Sequence, residues 1–123
     1  MIPRRLSARI LEHVKKIPVL AITGPRQSGK TTLVKHLFPD YLYLNLENPV
    51  QKEFAETDPV GFLKKHQQGL ILDEIQNVPI LFSFIQTIVD ETGETGKFIL
   101  TGSNNFLLLE KIYLIVSDIN TYR

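Results

Sequence analysis

The sequence contains no cysteine. Disulfides and thiolate metal centres are therefore excluded, and a reducing compartment such as the cytoplasm is the expected location. There is no large excess of charge of either sign: 14 Lys and Arg against 13 Asp and Glu leave a formal net charge of +1. No overall balance selects nucleic acid, a membrane surface or an acidic partner. No apolar run approaches the length of a membrane-spanning helix. The start, Met1-Ile-Pro-Arg-Arg5, lacks the apolar segment of a secretory signal. Internal repeats, low-complexity tracts and linkers are absent. His13, His36 and His66 are scattered over helical stretches without ligand spacing and read as surface residues. What remains is ordinary globular composition, 43% hydrophobic and 22% charged over 123 residues, enough for one domain with its own core.

Against this plain background residues 24–31 stand out. Gly24-Pro-Arg-Gln-Ser-Gly-Lys-Thr31 is G-x-x-x-x-G-K-[ST], the phosphate-binding loop of P-loop NTPases. Gly24 and Gly29 let the backbone turn tightly and approach an anion without a Cβ in the way. The amides of Pro25-flanking residues Arg26, Gln27 and Ser28, with the N-terminus of the following helix, cradle phosphates. In this motif Lys30 reaches the β- and γ-phosphates, and Thr31 offers its hydroxyl to Mg²⁺. Gly24, Pro25, Arg26, Gln27, Ser28, Gly29, Lys30, Thr31 and Thr32 are thus the candidate nucleotide contacts. The flanks fit the motif. Pro18-Val-Leu-Ala-Ile-Thr23 is a short apolar run typical of a central parallel strand. After the loop, Leu33, Val34, Leu37 and Phe38 form one apolar helical stripe, ended by Pro39-Asp40.

The remaining chain alternates helices and strands. Residues 4–16 read as an amphipathic helix, with Leu6, Ile10, Leu11 and Val14 on one side and Arg4, Arg5, Arg9, Lys15 and Lys16 around the rest; it is expected beside the sheet edge. Residues 41–46 predict a second strand. Two short helical pieces follow over 49–67, split near Asp58-Pro59. Leu70-Ile-Leu-Asp-Glu74 predicts a third strand. Pro79 starts a helix through about Thr92, with Leu81, Phe82, Phe84, Ile85, Ile88 and Val89 as its buried face. Residues 97–101 predict a fourth strand, and Phe106 begins a short helix to about Lys111. The alternation implies βαβ units, a parallel sheet and an α/β fold.

The third strand ends in Asp73-Glu74. A carboxylate at the C-terminal edge of a parallel strand faces the crevice where ligands bind. Downstream of a phosphate loop, Asp73 is the candidate for the Mg²⁺ shell and Glu74 for the base that polarises an attacking water. The next strand ends Thr101-Gly-Ser103, where a hydroxyl suits the γ-phosphate or that water; plain turn chemistry competes with this reading for Ser103 and, more strongly, for Thr101 and Asn104. Asn45 has two readings of equal weight: a restraint on Glu74, or a satisfied polar residue near a strand end.

In this order, the loop, the Asp-Glu strand and the Thr-Gly-Ser strand end resemble the AAA+ ATPases. The closest likeness is to the prokaryotic "ATP-binding protein" family, in which an AAA domain precedes a C-terminal domain of unknown function. Gly24–Thr31, Asn45-Leu-Glu-Asn-Pro49, Leu72-Asp-Glu-Ile-Gln76 and Leu100-Thr-Gly-Ser-Asn104 carry the resemblance. It implies a three-layer αβα, mostly parallel sheet with the fourth strand between the P-loop and Walker B strands. It also implies ATP and Mg²⁺, Walker A roles for Lys30 and Thr31, Walker B roles for Asp73 and Glu74, a sensor role for Ser103, and a glutamate-switch role for Asn45. ATP over GTP rests on the resemblance, since no Asn-Lys-x-Asp guanine-reading segment is present. The resemblance covers residues 1–111 and ends before residues 112–123, which are expected to be a divergent tail; Ile112–Val116 reads either as a makeshift fifth strand or as an exposed apolar tail. A truncated ATPase core without lid or arginine finger is the expectation. Slow ATP hydrolysis, a nucleotide switch without turnover and a non-functional remnant are its three outcomes. Self-association, or a protein partner reached through the missing C-terminal part, is the partner expectation beside ATP itself; nucleic acid is unsupported.

Overall fold

The computed structural model describes residues 4–23, 29–65, 68–102 and 114–116. In chain order these form α1 (Arg4–Val14), β1 (Val19–Thr23), α2 (Lys30–Leu37), β2 (Leu42–Asn45), α3 (Pro49–Thr57), α4 (Pro59–Leu63), β3 (Leu70–Asp73), a 3₁₀ turn (Ile75–Asn77), α5 (Leu81–Thr92), β4 (Phe98–Gly102) and β5 (Leu114–Val116). The strands make one sheet in the order β2-β3-β4-β1-β5, with every pairing parallel. The fourth strand thus lies between the strand before the phosphate loop and the strand ending in Asp73, as expected.

Strand alternation sorts the core into two layers. Val19, Ala21, Leu44, Leu70, Leu72, Phe98 and Leu100 face one side, where Ala55 of α3, Phe62 and Leu63 of α4, and Leu81, Ile85 and Val89 of α5 cover them. Leu20, Ile22, Ile71 and Ile99 face the other side, under Ile10 and Val14 of α1 and Leu33 and Val34 of α2. The result is the three-layer αβα fold. α1 packs on the face of the sheet in the same layer as α2, not beside the edge: Ile10 and Val14 share one buried cluster with Leu20, Ile22, Ile71 and Ile99, which removes more apolar surface from water than an edge position offers. The side chains of Arg4, Arg5, Leu6 and His13, and all of His66, lie outside the described set.

Local chemistry sets the helix starts. Asn48 caps α3, its side-chain oxygen accepting from the Val50 and Gln51 amides at 2.9 and 3.4 Å, with Pro49 in the first turn. Asp58 and Pro59 repeat the device on α4, the Asp58 oxygen accepting from the Gly61 amide at 3.1 Å. These caps explain the split at Asp58-Pro59. α5 ends in a left-handed Gly93 at φ 66°, whose amide reaches the Val89 carbonyl at 2.9 Å.

Two boundaries that bear on the site differ from expectation. α5 begins at Leu81 rather than Pro79, because Leu81 and Phe82 donate to Val78 and Pro79 in a tighter turn. Its buried residues are Leu81, Ile85 and Val89; Phe82, Phe84 and Ile88 are only partly covered. β3 stops at Asp73, since Glu74 leaves the strand with a left-handed backbone. Residues 114–116 pair with β1, Leu20 opposite Leu114, so the strand alternative describes that stretch; Phe106–Lys111 lies outside the described residues. Among the described residues no helix is long and apolar enough to cross a membrane.

Candidate functional site

Parallel pairing brings the carboxyl ends of β1 to β4 to one level. Asn45 of β2 stands opposite Asp73 of β3. The β3–β4 register, Leu72 opposite Leu100, puts Asp73 and Thr101 one step further along, and Ile22 of β1 pairs with Thr101. By alternation Asp73 and Thr101 point to the α2 side of the sheet, where α2 begins. Gly29 precedes that helix at φ 91° and ψ 3°, and its carbonyl accepts from the Leu33 amide at 2.9 Å. This left-handed position suits glycine, and it delivers Lys30 and Thr31 as the first helical residues.

Asp73 is the hub. It is buried, with 4% of its surface exposed, and it accepts three hydroxyl hydrogen bonds. Thr31 Oγ1 donates to Oδ2 at 2.9 Å. The Tyr43 hydroxyl also donates to Oδ2, and Thr101 donates to Oδ1. A buried carboxylate needs such donors, because an unsatisfied charge away from water is costly. The phenol of Tyr43 is held neutral: burial pushes its pKa well above the usual tyrosine value, and donation to Asp73, followed by the field of that carboxylate, pushes in the same direction.

Glu74 sits at the next position with φ 57° and ψ 51°, the only left-handed non-glycine among the described residues. Such backbone in a non-glycine costs about 1–3 kcal/mol and gathers at functional sites. It is over-determined here. The Glu74 amide donates to Thr101 Oγ1 at 3.3 Å, and the Glu74 carbonyl accepts from the Asn77 amide nitrogens of backbone and side chain at 3.1 and 2.9 Å. The bend turns the Glu74 carboxylate toward α2, where Oε1 lies 3.6 Å from Lys30 Nζ; Gln76 Nε2 donates to Oε2 at 3.3 Å. Lys30 and Glu74 are 4% and 5% exposed, so the pair is buried.

The structure therefore brings together Gly29, Lys30, Thr31, Asp73, Glu74 and Thr101. Thr32 is exposed on α2. Asn45 stands beside Asp73, but its side-chain oxygen accepts from the Glu47 amide at 3.0 Å within its own turn, while Lys30 and Gln76 meet the Glu74 carboxylate. Gly24, Pro25, Arg26, Gln27, Ser28, Ser103 and Asn104 lie outside the described residues. Tyr43 and Gln76 were not sequence candidates. The one signal for Tyr43 is its spacing of two from Asn45, which puts both on the same face of β2. A cavity of about 520 Å³ opens at the opposite, amino end of the strands, between Leu63, Leu70, Ile88, Val89 and Phe98; it holds none of this polar cluster.

Comparison with known proteins agrees with this fold. The family model described as "AAA domain" matches residues 16–117. Two uncharacterized proteins, Rv2008c of Mycobacterium tuberculosis and Mb2031c of Mycobacterium bovis, are each 35% identical over 103 residues, covering 81% of this chain. The chain spans 23% of the length of these relatives. Among solved structures, a DNA replication initiation factor superposes with a TM-score of 0.64 at 17% identity, covering 92% of this chain and 44% of that one. The Thermotoga maritima RuvB Holliday junction branch migration motor gives 0.54 at 19% identity, covering 94% and 45%. Replication initiator DnaA bound to AMPPCP and single-stranded DNA gives 0.60 at 16% identity, covering 92% and 44%. The fold is that of the AAA+ P-loop ATPases, and the chain belongs to the AAA-domain family.

Proposed function

We propose that the chain binds ATP together with Mg²⁺ and hydrolyses it slowly. The observation that carries this reading is the convergence of Thr31, Lys30, Asp73 and Glu74 at the carboxyl ends of the strands. Family membership supports nucleotide binding, and the fold neighbour bound to AMPPCP supports an adenine nucleotide.

The donor set fits Mg²⁺. The Thr31 hydroxyl and the Asp73 carboxylate, 2.9 Å apart, are hard oxygen donors. Among the described residues no group of three His, Cys, Asp or Glu could hold a metal unaided, in keeping with an ion that completes its shell from phosphate and water. Thr31 and Asp73 would hold the ion, which would supply positive charge against the phosphates. The chain's own residues do the rest by position and charge. Lys30 leaves Glu74 for the phosphates. Glu74, released, accepts the proton of the attacking water. Ser103 hydrogen-bonds the γ-phosphate or that water, and the restraint on Glu74 falls to Lys30 and Gln76 rather than to Asn45. The Lys30–Glu74 pair supports slow turnover, since the base is occupied until nucleotide draws the lysine away.

The same pair favours a second reading, a nucleotide-dependent switch without turnover. Phosphate release by wild type and Glu74→Gln separates the two. Loss of a positioned general base costs about 10²-fold or more; slow release by wild type that Glu74→Gln abolishes supports hydrolysis. No product from either protein, with nucleotide still bound, supports the switch. A cytoplasmic setting and a protein or self partner, engaged through segments equivalent to the rest of the longer relatives, complete the proposal.

A further inference from the structure

We propose that Tyr43 is a positioning residue for the metal ligand Asp73: its hydroxyl fixes the carboxylate in the orientation that serves Thr31 and Mg²⁺. The inference rests on the Mg-ATP reading above. The terminal torsion of an aspartate is broad, so the carboxylate at the end of β3 is not oriented by its backbone alone. Here it is fixed from both sides. Thr101 on β4 holds Oδ1, and Tyr43 on β2 shares Oδ2 with Thr31 on α2. Tyr43 is itself fixed. Its backbone pairs with Ile71 of β3, two residues before Asn45 pairs with Asp73. Lys35 Nζ lies 4.0 Å from the centroid of its ring. Lys35 follows Thr31 by one turn, so α2 offers a hydroxyl to the carboxylate and an ammonium to the phenol ring. Tyr43 thus ties edge strand β2 to the metal ligand through a hydrogen bond to a charged acceptor, a strong class of such bonds. Phenylalanine would fill the same space, so packing alone gives no reason for the hydroxyl.

The test is nucleotide affinity of the whole 123-residue chain, measured with Mg²⁺ and with EDTA. Wild type, Tyr43→Phe, Tyr41→Phe and Asp73→Ala are compared. Tyr43→Phe keeps the ring and its lysine contact. Its EDTA affinity is expected within about two-fold of wild type, while the gain from Mg²⁺ falls about ten-fold or more, the usual loss when a partner of a metal ligand is removed. Tyr41→Phe, whose hydroxyl instead donates to the Gly96 carbonyl, keeps the wild-type gain. An unchanged or larger Mg²⁺ gain in Tyr43→Phe, with the gain lost in Asp73→Ala, overturns the role of Tyr43 and leaves the site reading intact. A parallel fall with and without Mg²⁺ marks a structural role and also overturns it. No Mg²⁺-dependent binding by wild type overturns both.

Discussion

Replacing Lys30 with methionine keeps the length and apolar character of the stem but removes the ammonium facing Glu74 at 3.6 Å. The two side chains are 5% and 7% exposed, so water screens the pair little. Removing one partner of a buried ion pair costs about 3–5 kcal/mol, because the other charge stays buried without its counterion. Gln76 still donates to the second Glu74 oxygen, which places the expected cost near the lower end, about 3 kcal/mol. With a urea dependence of about 2 kcal/mol per molar for a domain of this size, the unfolding midpoint drops by about 1.5 M. The double variant Lys30→Met/Glu74→Gln carries neither charge and regains most of that loss, since neutral replacement of a buried pair is often without net cost. The coupling between the two sites is then at least about 2 kcal/mol, and larger by whatever Glu74→Gln costs alone. Equilibrium urea unfolding followed by far-ultraviolet circular dichroism measures all four corners of the cycle. A Lys30→Met midpoint equal to wild type, or strictly additive losses in the double variant, would refute the argument that these charges depend on each other.

Two further predictions test the scaffold. Gly96 has φ 72°, and an added Cβ would lie 3.0 Å from the Val14 carbonyl oxygen, whereas Gly93 at φ 66° has open space around it. Gly93→Ala is expected to cost about 1 kcal/mol for the left-handed backbone alone, and Gly96→Ala distinctly more; equal melting temperatures for the two would sink the steric part of the argument. Burial raises the pKa of Tyr41, and burial with Asp73 raises that of Tyr43. Stability is therefore full below the ordinary tyrosine value of about 10 and falls as pH rises from there toward the raised native values, because the unfolded chain releases its phenol protons first. Urea midpoints across that range should fall less steeply in Tyr41→Phe; an unaltered slope would contradict the assignment for Tyr41.

Local signals made much of this molecule legible. The end of the glycine loop was legible as the start of a helix: Gly29 is left-handed and Lys30 and Thr31 open α2, as the motif requires. The split between α3 and α4 is written in Asp58-Pro59, where cap and first-turn proline coincide. Strand periodicity located β1 to β4 with each end within one residue. The insertion of β4 between β1 and β3 followed from family resemblance, since no local pattern in residues 97–102 names its neighbours. The left-handed backbone of Glu74 was not legible: a glutamate after an apolar strand reads as one more strand residue, and the bend is held by hydrogen bonds to Thr101 and Asn77, 27 and 3 positions away. Tyr43 escaped for a similar reason. Its aromatic character suits any strand, and its task depends on the β2–β3 register, which places it two residues before the partner of Asp73. The short β5 stayed open because three residues carry too little periodicity to separate a strand from an apolar tail.

Calorimetric titration of the purified chain with Mg-ATP, beside Lys30→Ala, tests the central claim most directly. Saturable one-to-one binding that Lys30→Ala weakens by at least an order of magnitude, the scale on which a charge-assisted phosphate contact of about 1.5–3 kcal/mol acts, is the predicted result. A folded wild-type chain that takes up no Mg-ATP, or binds it equally well without the Lys30 ammonium, would contradict the account.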